Sequence, residues 1–267
     1  MVVPPGPTRR TRRQLPRGLP LGFAGATVLA QILYPLTSGG PRNGLTVLTV
    51  LLFAAASLTA AWRRYGRSYA LVLLAVTAGV GFVAEAVGVA TGLPFGDYAY
   101  AGTLGPRLLG VPLVIPLAWT MMAYPARVVG RVCAGSAAGR VVVGAVALAS
   151  WDVFLDPQMT DAGHWRFTAA DGPTLTGIPL VNYAGWLLVA VLLMAALELL
   201  LPAEPDRPTP AADAVPLGLY LWTYASSLLA NLAFFGRPDV ALTGGLVMGV
   251  PVALLVWSLR SRTATRT

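Results

Sequence analysis

The residues best suited to chemistry are two carboxylates, Asp152 and Asp156, near the end of a long apolar stretch. Their i, i+4 spacing points both side chains the same way for as long as a helix continues. Pro157 disfavours helical backbone at the residue before it, so we expect the helix to end at Asp156. Two carboxylates held close together away from water do not both ionise easily, so one is expected to keep its proton near neutral pH. A protonated carboxyl group is what a general acid requires.

Two other interpretations of this pair are open. A site for Mg²⁺ and a diphosphate, as in membrane prenyltransferases, would need two acidic clusters with Asn- or Asp-rich spacing, and this chain has one. The second alternative is a polar helix end that faces solvent. The single cysteine, Cys133, excludes an internal disulfide, a thiolate metal cluster and a haem attachment motif. The sequence therefore predicts neither a metal nor another cofactor.

Glu85 lies within an apolar stretch, residues 69–91, a few residues from its outer end. This position is roughly 6–9 Å below the membrane boundary. A charge that faces lipid there costs about 2.5–3.5 kcal/mol or more, so Glu85 should face the bundle interior or a watered cavity. Gly81 and Gly88 share its helical face and permit close helix approach. We expect a functional role, and a hydrogen bond to a neighbouring helix is the structural alternative.

Asp97 lies in a loop that alternates aromatic residues with Gly and Pro, beside Phe95, Tyr98 and Tyr100. This composition indicates non-helical backbone with ordered side chains. An aromatic belt at the membrane interface would explain the tyrosines alone. It would not explain the residues that disturb the start of the next helix, which are Gly110, Pro112 and Pro116. Broken helices at membrane depth are tolerated where protein or a cavity satisfies their backbone, so we expect this loop to border a site.

The loop at 157–176 is the longest outer connection and contains the only histidine, His164. Its alternating aromatic residues and an Asp171-Gly172 pair predict a short hairpin lid. A single loop histidine is more often a solvated surface residue than a ligand, so we assign His164 no catalytic role.

Asn182 and Trp186 open the sixth apolar stretch and share one helical face at i, i+4. Asn182 lies about one turn inside the stretch and can both donate and accept hydrogen bonds. We therefore expect it to orient a polar group within the bundle.

Membrane-spanning helices must position all these residues, because a span needs roughly 20 apolar residues. The chain has eight such stretches, at 19–37, 43–62, 69–91, 108–129, 140–156, 176–201, 215–235 and 240–259. Fifteen of the 19 arginines fall on one side of these stretches and four on the other, which is the positive-inside pattern. The prediction is an all-α, polytopic transmembrane helical bundle of about eight spans with both termini cytoplasmic.

Composition supports the same class. The chain of 267 residues is 56% apolar and 11% charged, with a mean hydropathy of +0.67. These values exclude a disordered chain, a nucleic-acid-binding domain and an ordinary cytosolic enzyme. We expect an Arg-rich cytoplasmic arm at 1–18, a single transmembrane domain at 19–259 and a cytoplasmic tail at 260–267. Residues 202–214 form a Pro-rich cytoplasmic linker. A cleaved export signal is the disfavoured alternative for the N-terminal region.

Three segments together resemble a known family. They are GLPFGDYAY at 92–100 with LGVPLVIPLAW at 109–119, then ASWDVFLDPQM at 149–159 with GHW at 163–165, and GIPLVNYAGW at 177–186. The chain is similar to the CruF-type carotenoid biosynthesis proteins, which include γ-carotene 1′,2′-hydratase and bisanhydrobacterioruberin hydratase. The resemblance extends over roughly residues 70–260 and is densest at 85–186.

The resemblance implies cofactor-independent addition of water across the terminal C1′=C2′ double bond of an acyclic carotenoid ψ end. The chemistry of that reaction suggests Asp152 or Asp156 as the acid, with Glu85 and Asp97 as charge partner or water-orienting base. Asn182 would position the water. The substrate-binding aromatic side chains would be Tyr98, Tyr100, Trp119, Trp151 and Trp186.

Two rival functions are a membrane lycopene or carotenoid cyclase, which would use the same protonated intermediate, and a non-enzymatic transporter. Against a transporter, the spans show no evident inverted repeat. The expected partners are a lycopene- or γ-carotene-like substrate, membrane lipid and other carotenoid enzymes, and not nucleic acid. The expected location is the cytoplasmic membrane of a bacterium.

Overall fold

The computed structural model describes residues 15–168, 172–204 and 206–264. Within these residues the chain forms eight α-helices, one over each predicted apolar stretch. The helices are α1 Gly18–Leu33, α2 Gly39–Tyr65, α3 Arg67–Thr91, α4 Ile115–Cys133, α5 Ala137–Asp161, α6 Leu180–Leu200, α7 Ala214–Ala233 and α8 Pro238–Ala264. Two short 3₁₀ turns, Tyr34–Leu36 and Gly102–Leu104, precede α2 and α4.

Six of these helices are long and apolar enough to cross a membrane, namely α1 with its 3₁₀ turn, α2, α3, α5, α6 and α8. The other two, α4 and α7, are not among these six, and each includes a buried polar residue, Arg127 in α4 and Asn231 in α7. A polar helix is compatible with a membrane bundle when its neighbours separate it from lipid. The predicted all-α transmembrane bundle is confirmed.

Helix α4 forms the centre of the bundle. It packs against α2, α3, α5, α7 and α8. Fourteen of its nineteen residues are buried, so the helix has little surface left to face lipid. Its N-terminal half supplies Trp119 and its C-terminal half supplies Arg127, which places one helix between two chemically different ends of the molecule.

The loops at the α3–α4 and α5–α6 end form three two-stranded antiparallel sheets. The strands are β1 Tyr98–Tyr100, β2 Arg107–Leu108, β3 Val111–Pro112, β4 Trp165–Phe167, β5 Thr174–Leu175 and β6 Ile178–Pro179. Strand β1 pairs with β4, β2 with β3, and β5 with β6. The β1–β4 pair is the important one, because it joins two loops that are distant in sequence.

The prediction of a hairpin within 157–176 is wrong for β4, because β4 pairs with β1 of the α3–α4 loop and not with a strand of its own loop. Tyr98 lies opposite Phe167 and Tyr100 opposite Trp165. Cross-strand aromatic pairs of this kind stabilise a short sheet. Of the predicted Asp171-Gly172 turn, Asp171 lies outside the described residues.

Two helix boundaries differ from expectation. Helix α5 runs through Pro157 to Asp161, so the predicted end at Asp156 is wrong. Proline removes one backbone donor, and the buried contacts of Pro157 and Met159 with the bundle keep this turn helical. Helix α4 begins at Ile115 rather than 108, after the β2–β3 turn, where Gly110 has a positive φ of 83°. The expected disturbance of this helix start is confirmed.

The predicted segments at the termini fall partly outside the described residues. Of the expected arm at 1–18, residues 1–14 are not described, and α1 begins at Gly18. Helix α8 continues beyond 260 to Ala264, and residues 265–267 of the expected tail lie outside the description. The Pro-rich linker lies between α6 and α7, as the sequence predicts.

Candidate active site

A cavity lies within the bundle, below the β1–β4 sheet. Its walls include eight of the ten residues that the sequence singles out as catalytic or substrate-binding. These are Glu85, Tyr98, Tyr100, Trp119, Trp151, Asp156, Asn182 and Trp186. Asp152 lies directly behind this wall with no exposed surface, bonded to Asn182. Helices α3 and α5 thus bring Glu85 and Asp156 to one chamber, with Asp152 in the layer behind it.

Asp152 and Asp156 are bridged by a single amide. Asn182 Nδ2 donates to Asp152 Oδ2 at 3.0 Å and also to Asp156 Oδ2. Trp165 Nε1 donates to Asp156 Oδ1 at 3.2 Å. Asp152 Oδ1 is buried and has no hydrogen-bond partner. Both carboxyl groups are at least 97% buried, because their exposed fractions are 0% and 3%.

Glu85 is held by three uncharged donors. Tyr98 OH and Tyr100 OH donate to Oε2 at 2.6 and 2.7 Å, and Trp119 Nε1 donates to Oε1 at 3.1 Å. Burial and then the charge of Glu85 raise the pKa of Tyr98 and of Tyr100 well above the ordinary value. Both phenols therefore remain protonated donors at any physiological pH.

The glycines beside Glu85 explain how these donors reach it. A Cβ at Gly81 would lie 2.6 Å from the Trp119 ring, and one at Gly88 would lie 2.9 Å from Tyr98 OH. The close approach predicted for this face is therefore an approach of aromatic side chains to the backbone of α3. Larger residues at either position would displace a donor of Glu85.

Tryptophan rings form the apolar part of the cavity wall. Trp119 and Trp186 stack with their centroids 4.2 Å apart and their planes 15° apart. Trp151 meets Trp186 edge-on at 6.1 Å. The face of a tryptophan ring attracts a cation, so this wall can stabilise positive charge that develops in the cavity.

Asp97 does not join the other three acidic residues. Its side chain is exposed, and it is absent from the cavity wall. A Cβ at Gly92 would lie 2.4 Å from Asp97 Oδ1, so the carboxylate turns back toward the end of α3. Its backbone oxygen accepts from Thr168 N at 2.8 Å. These contacts hold Asp97 in the loop, outside the chamber.

His164 is fully buried, so its expected position at the solvated surface is wrong. Its Nδ1 lies 2.8 Å from Thr103 Oγ1 and its Nε2 lies 3.2 Å from Thr46 Oγ1. Burial lowers the pKa of the imidazole, which favours the neutral ring. The histidine thus joins the loop layer to α2 through two hydroxyl groups.

Sequence reasoning missed several members of the site. Trp165 was not assigned a role, although it donates directly to Asp156 and lines the cavity. Its place in an alternating aromatic segment was the available signal. The polar residues that α1, α2 and α7 contribute to the cavity have no shared motif, so no local signal identified them.

Comparison with known proteins supplies the remaining observations. A family model described as "Carotenoid biosynthesis protein" matches residues 45–251. A protein of Haloarcula japonica named bisanhydrobacterioruberin hydratase is 36% identical over 135 residues. That alignment covers 48% of this chain and 45% of the relative, so it spans a little under half of the relative's length. No solved structure matches the chain.

Proposed function

Because the chain belongs to the family of carotenoid biosynthesis proteins, we propose that it is a carotenoid hydratase. The reaction adds water to the terminal C1′=C2′ double bond of an acyclic carotenoid end and needs no cofactor. The observation that carries the proposal is the pair Asp152 and Asp156, bridged by Asn182, of which Asp156 lines a cavity walled by tryptophan rings. The printed name of the Haloarcula relative supports the same class of reaction.

The charges of the cavity favour a protonated acid. Among the described residues that line it there is no Arg, Lys or His. Ionising two adjacent buried carboxyl groups without a cation is costly, so the aspartate pair retains a proton. Glu85 differs because three donors hold its two oxygens in place. One site thus combines a proton donor with a fixed hydrogen-bond acceptor.

Asp156 is the proton donor in this proposal, because it lines the cavity while Asp152 lies behind it. The proton passes from Asp156 to C2′, and the π electrons of the double bond form the new C–H bond. The resulting tertiary cation at C1′ faces the rings of Trp119 and Trp186. Water then forms the C1′–O bond and returns a proton to the carboxylate, which yields a tertiary alcohol and restores the acid.

Glu85 and Asn182 position the water in this proposal. Asn182 holds the two aspartates and Glu85 is fixed by its three donors, so neither side chain is free to rotate. Rigid polar groups that surround a developing charge stabilise the transition state without reorganisation. Asp97 has no role in the reaction, because its side chain is exposed outside the cavity.

The substrate in this proposal is a lycopene- or γ-carotene-like polyene with one end in the cavity. A linear carotenoid is about as long as the hydrocarbon core, roughly 30 Å, so the rest of the chain can lie among lipid. The proposed location is the cytoplasmic membrane of a bacterium, with the cavity toward the outer face. Other carotenoid enzymes would supply the acyclic end.

The test is to express the chain in a lycopene-producing bacterium and to follow pigment mass. Hydration adds the mass of one water molecule to the pigment. A spectral shift at constant mass would instead indicate cyclisation, and unchanged pigments would favour a transporter. Either of those two results contradicts the proposal.

A further inference from the structure

The cavity has a second polar wall that the proposed reaction does not use. Its members are uncharged and come from α1, the 3₁₀ turn after it, α2 and α7. They are Gln31, Tyr34, Thr46, Thr49, Thr223 and Ser227. The acidic residues come from α3 and α5, so a different group of helices builds this wall. We call it the hydroxyl wall.

Two hydroxyl groups of this wall have no partner within the described residues. Tyr34 OH and Thr49 Oγ1 are both buried and make no hydrogen bond. Tyr34 is only 7% exposed, and its ring is fixed by Phe235, whose centroid lies 6.1 Å away. Buried polar atoms without a partner are exceptions in folded proteins and indicate an ordered water or a ligand.

Thr49 also departs from a regular pattern in this molecule. Nine other helical threonines donate their hydroxyl to the carbonyl four residues earlier. These are Thr27, Thr46, Thr59, Thr77, Thr91, Thr120, Thr160, Thr223 and Thr243. The hydroxyl of Thr49 makes no such bond although it is buried. It is therefore available to the cavity that Thr49 lines.

Neighbouring contacts hold the rest of the wall in place. Trp222 Nε1 donates to Gln31 Oε1 at 2.7 Å, which fixes the amide at the cavity edge. Thr46 bonds to the carbonyl of Arg42 and contacts His164, so its hydroxyl is occupied. Tyr34 and Thr49 supply the two fully buried hydroxyl groups of the wall that have no partner among the described residues.

We propose that Tyr34 and Thr49 form a binding subsite for one neutral hydroxyl group inside the reaction cavity. The oxygen of a hydroxyl group can accept hydrogen bonds from both side chains, and its O–H can donate one hydrogen bond to either of them. This capacity matches two uncharged partners. The residues of the hydroxyl wall are themselves uncharged, and the Arg42 guanidinium, 5.5 Å from the centroid of the Tyr34 ring, is not part of the cavity lining. The inference rests on the proposed function for its setting, since it places a second polar contact in the chamber of the hydratase.

The hydroxyl has two possible sources with the same chemistry. It belongs to the water that adds to the double bond, or to an alcohol that the carotenoid already carries near the reacting end. Tyr34→Phe and Thr49→Val remove only the oxygen atoms and distinguish the sources. Thr59→Val is the matched control, because Thr59 lies on the same helix and its hydroxyl bonds to the carbonyl of Ala55.

The experiment compares hydration of lycopene with hydration of a monohydroxylated carotenoid in membranes that contain each variant. If the wall holds water, both variants lower kcat about threefold to tenfold for both substrates. If it holds a substrate hydroxyl, they raise KM by a similar factor for the hydroxylated substrate alone. Rates within twofold of Thr59→Val for both substrates would overturn the subsite.

A binding measurement keeps this inference separate from the proposed function. Quenching of tryptophan fluorescence by the two carotenoids reports binding even if no hydrated product forms. A wild-type preference for the hydroxylated carotenoid that Tyr34→Phe abolishes would support the subsite with an inactive protein. In that inactive protein, equal affinity of the wild type and both variants for each carotenoid would reject a subsite for a substrate hydroxyl.

Discussion

Buried and half-buried carboxyl groups gather at two places among the described residues, and only one of these places pairs them with arginine. In the cavity, Glu85, Asp152 and Asp156 have only uncharged donors. At the opposite end of α6 from Asn182, Glu198 and the linker residue Glu204 are paired with arginine. Asn182 and Glu198 are sixteen residues apart in one helix, which corresponds to about 24 Å. We call these sets the cavity cluster and the arginine cluster.

The arginine cluster joins four segments. Arg127 of α4 is 6% exposed and pairs with Glu198 at 3.0 Å and with Glu204 at 2.7 Å. Arg131 pairs with Glu204 at 3.0 Å, and Arg140 of α5 pairs with Glu198. These contacts attach α6 and the linker to the centre of the bundle. Every acidic group here is neutralised.

The difference in partners assigns the arginine cluster to stability and the cavity cluster to chemistry. A carboxylate that is paired with arginine is a poor proton donor, because the cation holds it in the charged form. A buried carboxyl group with neutral partners can keep a proton and release it to a substrate. The same residue types therefore stabilise the fold at one end of α6 and are available for reaction at the other.

Replacing Asp156 with Asn should produce the largest effect on activity. The amide cannot supply a proton, so hydration should fall by about 100-fold or more, as expected for loss of a general acid. Pigment conversion per amount of folded protein is the measurement. Asp161→Asn is the control, since Asp161 is an exposed residue of the same helix. An equal loss of activity in Asp97→Asn would contradict the separation of Asp97 from the cavity cluster.

Replacing Arg127 with Met should lower the stability of the fold and leave activity nearly unchanged. The change removes one of the two arginine partners of Glu198 and of Glu204, so the free energy of unfolding should fall by about 1.5–3 kcal/mol. Hydration per folded molecule should change little. Denaturant unfolding in detergent measures the first quantity, and Arg237→Met, which breaks more exposed ion pairs, is the control with about 0–1 kcal/mol expected. Equal losses of stability in the two variants would remove the distinction between the arginine cluster and a surface pair.

Replacing Glu85 with Gln should have an intermediate effect. The amide keeps the size of the side chain but replaces one of the two oxygens that accept from three donors with an NH₂ group, so the hydration rate should drop about tenfold or more. Steady-state conversion at several substrate concentrations separates kcat from KM. An unchanged kcat with lower stability would assign Glu85 to the structure instead of the reaction.

The smallest effect concerns pH and His164. Because burial lowers its pKa, the unfolded chain binds more protons than the folded chain below about pH 6.5. Stability that comes from the neutral ring is therefore present above that pH and is lost as the pH falls toward the folded-state pKa. Melting temperatures at pH 8 and pH 5.5 should differ more for the wild type than for His164→Gln. An identical pH dependence in the wild type and in His164→Gln would show that protonation of the His164 ring does not destabilise the fold.

Local patterns in the sequence predicted much of the fold and most of the site. Apolar runs located all eight helices, and i, i+4 spacing placed Asp152 and Asp156 on one face of α5. The cost of a charge in lipid identified Glu85 as a residue of the interior, which its 4% exposure confirms. These inferences succeed because helical periodicity and hydrophobic length are properties of adjacent residues.

Other features depend on segments that meet only after the chain folds. The β1–β4 pairing brings Trp165 to Asp156, and the turn at the end of α3 directs Asp97 away from the cavity. The hydroxyl wall joins helices from both halves of the chain. Sequence spacing carries no information about which distant loops will pair or which faces of separate helices will border one cavity, because packing of the whole bundle sets those neighbours.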